Sequence, residues 1–92
     1  MDVYEQIIVK IIKSQEAIIG PVAVEQAKRV PHLTLDWDKS AVSIKGEEAK
    51  AIDALVEVYK ELFGQISVEV SKEAASSLIG QLADDKLPKA LK

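Results

Sequence analysis

One stretch of the chain, DWDKSAVSIKGE, has side chains that could bind calcium. Asp36, Asp38, Ser40 and Glu47 occupy positions 1, 3, 5 and 12 of an EF-hand loop, which supplies oxygen ligands at this spacing as it wraps round the ion. Position 6, where the sharp turn requires glycine, is Ala41, and the stretch alternates between apolar and polar residues as β-strands do. We therefore interpret the acidic residues as the solvent face of a hairpin and predict no metal site.

No other group of residues has the composition of a catalytic or cofactor site. The chain has one histidine, His32, and no cysteine, so thiol catalysis, thiolate ligands and disulfides are excluded. The acidic pairs Glu47-Glu48 and Asp84-Asp85 are adjacent and diverge on a helix, which suits helix capping and solvation. We predict no catalytic residues and no cofactor. An enzyme with a carboxylate site assembled between subunits is the third and last alternative.

A second possible function is suggested by two basic residues, Lys28 and Arg29, at the end of a short predicted helix. In this alternative the protein is a DNA-binding transcriptional regulator, and residues 21–30 form a helix-turn-helix-like segment. The net charge of -3 and the shortage of basic residues on that helix argue against a nucleic-acid partner. Lys10 and Lys13 interrupt the apolar N-terminal run, so we expect no signal peptide, no membrane partner and a cytoplasmic location.

The elements that would position these residues are mostly helical. Apolar residues recur every three or four positions over residues 3–19 and again over residues 47–63, which predicts two long amphipathic helices. A shorter helix is expected from Pro21 to about Val30, before Pro31. We predict a fourth helix over residues 67–82, although ISVEV at residues 66–70 is also compatible with a strand.

Two short segments between the helices alternate with the period of β-strands. They read LTLDW and AVSIK and are joined through Asp38-Lys39-Ser40, which predicts a β-hairpin. One face of this hairpin is apolar and carries Leu33, Leu35, Trp37, Val42 and Ile44.

The two halves of the chain match at an offset of 44 residues. Identical pairs in this alignment include Ile8 and Ile52, Gly20 and Gly64, Val24 and Val68, Glu25 and Glu69, and Lys28 and Lys72. A repeated helix–corner–helix unit explains the match, but amphipathic helices of similar length also agree in apolar phase by chance. Duplication and chance therefore both stay open at the level of sequence.

These elements predict an α+β domain over residues 1–83, followed by a frayed tail over residues 84–92. The order is α-α-β-β-α-α, with an antiparallel hairpin flanked by amphipathic helices. A two-stranded hairpin is marginal alone and its edges are unpaired. We therefore expect a homodimer in which two hairpins form a four-stranded sheet. If residues 66–70 form a strand, a monomer completes its own three-stranded sheet instead.

The segments IIGPVAVEQAKRVPHLTLDW and YKELFGQISVEVSKEA resemble the small uncharacterised α+β proteins common in cyanobacteria, over most of the chain. The resemblance implies a small cytoplasmic bacterial protein with helices flanking a β-sheet and no catalytic residues to transfer. From the residues themselves, the leading hypothesis is a small non-enzymatic protein-interaction or regulatory protein that self-associates and binds an unidentified protein. The candidate contact residues are Trp37, Leu35, Val42 and Ile44.

Overall fold

A computed structural model describes residues 1–92 as four α-helices, one β-hairpin and four short 3₁₀ turns. The regular elements are α1 (Val3–Ile19), α2 (Val22–Ala27), β1 (Leu33–Asp36), β2 (Ala41–Ile44), α3 (Glu48–Phe63) and α4 (Gln65–Ala75). The 3₁₀ turns are Trp37–Lys39, Ile79–Gln81, Asp84–Lys86 and Lys89–Leu91. The α+β class is confirmed, and the element order differs in detail because 3₁₀ turns separate the strands and follow α4.

Helix α1 supplies the centre of the hydrophobic core. It begins with a capping box, in which the Asp2 carboxylate accepts a hydrogen bond from the Glu5 N–H at 2.9 Å and Glu5 accepts one from the Asp2 N–H at 3.0 Å. Its broad apolar stripe packs mainly against α4, and it also contacts α2 and β2. The fully buried isoleucines of this stripe are Ile7, Ile8, Ile11 and Ile12.

Two glycine corners of the same geometry join the helices in pairs. Gly20 has φ 80° and ψ -163°, and Gly64 has φ 83° and ψ -173°, a region of backbone space that is essentially restricted to glycine. Each glycine N–H also closes its helix in the same way, on Glu16 O at 2.9 Å and on Lys60 O at 2.8 Å. Both halves of the chain therefore contain the same helix–corner–helix unit.

Two equivalent hydrogen bonds hold the units together. The Gln15 Nε2 on α1 donates to Ser67 O on α4 at 2.9 Å, and the Tyr59 hydroxyl on α3 donates to Ala23 O on α2 at 2.7 Å. Positions 15 and 59 correspond at the offset of 44 residues, and so do positions 23 and 67. The two units thus pack with approximate two-fold symmetry, which supports duplication over a chance match.

Two helices are shorter than the sequence predicted. Helix α2 ends at Ala27 instead of Val30, because the chain must leave the helix before Pro31. Helix α4 ends at Ala75 instead of residue 82, where serines and Gly80 lower helix propensity. Residues 66–70 lie within α4, so the helical prediction for them is confirmed and the sheet has only two strands.

The C-terminal segment, predicted to fray, packs against the helices instead. Pro88 is fully buried and Leu91 is 4% exposed, because the segment lies against α3 and α4. The Ala90 N–H donates to the Asp53 carboxylate at 2.9 Å, and the Tyr4 hydroxyl donates to Lys86 O at 2.8 Å. Apolar residues spaced among the charges of residues 84–92 thus complete the core without forming an α-helix.

We expect Tyr59→Phe to lower the free energy of unfolding by about 1–2 kcal/mol, since it removes a buried hydrogen bond between the two units. Tyr4→Phe is the matched control, because that hydroxyl also donates to a backbone carbonyl but at an exposed site, and we expect a loss below about 0.5 kcal/mol. Urea denaturation of both variants measures the difference. Equal losses would contradict the role assigned to Tyr59.

We expect Gly20→Ala and Gly64→Ala to destabilise the fold by about 1–3 kcal/mol each, because alanine is strained in this region of backbone space. Gly80→Ala is the control, since Gly80 lacks a positive φ and should tolerate alanine within about 0.5 kcal/mol. No atom lies within 4 Å of a Cβ built at any of the three positions, so the comparison isolates backbone strain. Thermal unfolding followed by circular dichroism measures it.

Candidate functional site

The hairpin turns its apolar face toward the helices. In the antiparallel register Leu33 pairs with Ile44 and Leu35 pairs with Val42, and paired residues lie on the same face of a sheet. Leu33 and Val42 are buried, whereas Leu35 and Ile44 are half-buried against the core. On the opposite face Thr34, Asp36 and Ser43 are polar and exposed. Three of the predicted contact residues, Leu35, Val42 and Ile44, therefore direct their side chains into the protein.

Trp37 is the fourth predicted contact residue. The sequence predicted it at the end of a strand, but it lies outside β1. It begins the 3₁₀ turn that links the strands, and the Ser40 N–H closes this turn on Trp37 O at 2.9 Å. Ser40 itself has a left-handed conformation with φ 50°. The connection between the strands covers residues 37–40, one residue more than the predicted three. The indole is half-buried and packs against the edge of the core. Part of its surface remains open to a partner.

The backbone of β1 forms an open sheet edge. The Lys45 N–H donates to His32 O at 2.8 Å, which makes 32 and 45 a hydrogen-bonded pair. Since such pairs alternate along antiparallel strands, Leu35 and Val42 form a pair whose N–H and C=O groups point away from the partner strand. Helix α1 packs on β2, whereas β1 has β2 as its main neighbour. The outward backbone groups of Leu35 thus lie on the freer edge.

A cleft of about 560 Å³ lies at the base of the hairpin, beside the start of α3. It is lined by His32, Lys45, Lys50 and Glu47 together with small residues, and Lys50 Nζ lies 3.1 Å from the Glu47 carboxylate. Glu47 makes this ion pair rather than the predicted cap hydrogen bond. No group of three or more histidine and acidic side chains is close enough to hold a metal ion. Segment 36–47 itself folds mainly as the hairpin.

Two carboxyl groups meet where α1 and α3 begin. A hydrogen bond from the Glu48 carboxyl to Asp2 raises the pKa of Glu48 to about 7, with a contribution from desolvation and from the negative charge of Asp2. The same hydrogen bond lowers the pKa of Asp2. Asp2 and Glu48, the acidic residues at the start of α1 and α3, therefore share one proton near neutral pH.

A second groove, which the sequence did not reveal, runs between α1 and α4. Its volume is about 640 Å³, and residues from both helices line it. Ile18 is 64% exposed at this groove. The run AIIGPV at residues 17–22, which has no charged residue, is the sequence signal that could have indicated an exposed apolar surface.

The segment proposed for DNA binding is short in the structure. Helix α2 has six residues, of which Ala23, Val24 and Ala27 are buried. Lys28 and Arg29 follow its end and are exposed. A recognition helix contacts bases mainly through its N-terminal residues, whereas half of α2 faces the protein core.

No known protein-family model matches this chain, and no curated protein or solved structure shows significant similarity to it. The resemblance to cyanobacterial α+β proteins therefore stays a prediction from the sequence. None of the helices combines the length and the apolar character that a membrane span requires.

We expect the stability of the protein to fall as pH rises from about 4.5 to about 7. An unfolded glutamate loses its proton near 4.5, whereas folded Glu48 keeps it to about 7, so folding takes up a proton between these values. The stabilisation that the Glu48 proton provides is complete below about pH 4.5 and lost above about pH 7. Asp2 has the opposite effect on stability, because its pKa is lowered in the folded protein. Its contribution is lost as the pH falls into the acid range.

Urea denaturation at pH 5 and pH 8 measures this effect against two variants. Glu48→Gln should reduce the difference between the two pH values, and Glu47→Gln, at the exposed neighbouring position, should keep it. A Glu48→Gln variant with the wild-type pH dependence would show that the two carboxyl groups do not share a proton.

Proposed function

We propose that this chain is a cytoplasmic, non-enzymatic protein-interaction and regulatory protein that acts as a homodimer joined at the β1 edge. In the dimer two hairpins form one antiparallel sheet of four strands, in the order β2-β1-β1-β2. The observation that supports this proposal is the outward orientation of the Leu35 N–H and C=O groups on the freer edge of the hairpin.

An open edge of this kind favours pairing with another strand. Unpaired backbone groups at a sheet edge form a template for a further strand, and proteins commonly shield such edges with charges, proline or a covering element. Strand β1 carries no proline or lysine, and Asp36 at its end is its one charged residue. Pairing at Leu35 uses backbone groups that already point outward, whereas the Leu33 N–H, which donates to Val30 O at 3.3 Å, must exchange that partner.

The two-fold symmetry of a homodimer also explains the half-buried apolar residues of the hairpin. In antiparallel pairing centred on Leu35, Thr34 of one copy lies opposite Asp36 of the other, and Trp37, in the turn after Asp36, comes near Leu33 of the other copy. The half-buried side chains of Leu35 and Trp37 then become part of a continuous apolar layer beneath four strands. The residues predicted as contacts therefore contribute by both backbone pairing and packing across the dimer axis.

We expect Leu35→Pro to convert the dimer to a monomer. Proline removes the outward N–H, while the hydrogen bonds between β1 and β2 use the neighbouring residues and remain. Leu35→Ala is the matched control, because it loses the same side chain but keeps the N–H, and it should remain dimeric. Light scattering after size exclusion, over a tenfold range of concentration, gives the mass relative to the 10.0 kDa chain.

Two results would contradict the proposal. A wild-type chain that stays monomeric over the whole range would show that β1 does not pair with a second copy, and the same edge would then be tested for an extended peptide. A Leu35→Pro variant that remains dimeric with an unchanged far-UV spectrum would place the dimer contact elsewhere.

A further inference from the structure

The two helix–corner–helix units differ in the length of their second helix. Helix α4 has eleven residues and α2 has six, although equivalent glycine corners precede both helices. The additional residues of α4 extend along α1, which is its main neighbour. In the first unit, residues 28–31 are equivalent to the last four residues of α4, and they lie after the end of α2. Two of the four α4 residues at the groove between α1 and α4, Glu73 and Ala74, therefore belong to the part of α4 that has no helical counterpart in α2.

The floor of this α1–α4 groove is apolar. Ala17 and Ile18 come from α1, and Val70 and Ala74 come from α4. Ile18 is 64% exposed. Ala17 is also exposed, and Val70 and Ala74 are half-buried. A large isoleucine left open to water beside other apolar groups is a typical feature of a surface that binds another protein.

The rim of the groove is acidic. Glu69 and Glu73 are one helical turn apart on the same face of α4, and both are exposed. Neither carboxylate belongs to an ion pair, since the chain's ion pairs are Lys39–Asp36 and Lys50–Glu47. Glu69 accepts only a weak hydrogen bond from Gln65, at 3.3 Å. Two negative charges thus stand beside the apolar floor without cationic partners.

We propose that the α1–α4 groove binds an amphipathic helix of another protein, with lysine or arginine residues beside its apolar stripe. Basic residues one turn apart on such a helix match the spacing of Glu69 and Glu73. A second copy of this chain fits less well, because face-to-face contact would bring the same two carboxylates together. An anionic lipid surface would be repelled by them in the same way.

The groove is independent of the proposed dimer. It is formed by α1 and α4 alone and shares no residue with the hairpin edge. A monomeric chain could therefore still bind the basic helix, and a dimeric chain could fail to bind it. The two experiments give separate answers.

The test uses a fluorescently labelled peptide of roughly 14 leucine and lysine residues, with leucines on one helical face, a length at which isolated helices begin to form. Its binding to the full chain is measured by fluorescence anisotropy. We expect Glu69→Lys combined with Glu73→Lys to weaken binding at least about tenfold. We expect Ile18→Ser to weaken it as well, since Ile18 supplies the most exposed part of the floor.

Each variant has a control at exposed positions that do not line the groove. Glu25 corresponds to Glu69 in the repeat, Glu61 lies on α3, and Leu62 corresponds to Ile18 and is 53% exposed. Glu25→Lys combined with Glu61→Lys makes the same change in net charge, so binding should change less than about threefold if the groove is the site. Leu62→Ser should likewise leave binding unchanged.

Two outcomes would overturn the proposal. If the control variants weaken binding as much as the groove variants, the peptide is attracted by net charge and not held in the groove. If the wild-type chain does not bind the peptide, or binds an otherwise identical peptide with glutamate in place of lysine equally well, the acidic rim does not select a basic helix. Far-UV circular dichroism of every variant shows that the compared proteins are folded.

Discussion

The arrangement of the whole chain depends on a reciprocal pair of buried hydrogen bonds between its two helical units. Gln15 reaches Ser67 and Tyr59 reaches Ala23 across the same approximate two-fold axis. A buried polar group without a partner costs more than an apolar one, and every buried side-chain polar atom here has a partner. The register between the units is therefore fixed by polar groups, while the isoleucines of α1 lie at the centre of the apolar core.

The fold combines this internal symmetry with two departures from it. Helix α4 is longer than α2. The C-terminal turns pack Pro88 and Leu91 against α3 and α4, and no equivalent turns follow the first unit. The hairpin follows the first unit and rests on α1 through β2. The hairpin edge has no copy in the other half, and the α1–α4 groove includes Glu73 and Ala74, whose counterparts Arg29 and Val30 lie outside a helix.

The sequence predicts the helices and the hairpin because their apolar periods are regular and because Gly20 and Gly64 mark the corners. It does not predict where α4 ends, since the periodic residues continue to Leu82 after the helix has become 3₁₀ turns. Trp37 fits the strand alternation but lies in a 3₁₀ turn that ends at the left-handed Ser40, and alternation cannot reveal such a turn. The α1–α4 groove depends on two segments separated by about half of the chain, and their proximity is a tertiary property.

The separation between α1 and α4 also has a consequence for biosynthesis. The isoleucine face of α1 leaves the ribosome first, yet its main partner, α4, is among the last elements to emerge. Until then the nascent chain can cover that face only with α2, the hairpin and α3, and apolar surface exposed in this way promotes aggregation. Completion of this fold is therefore delayed until α4 and the buried Pro88 and Leu91 have emerged.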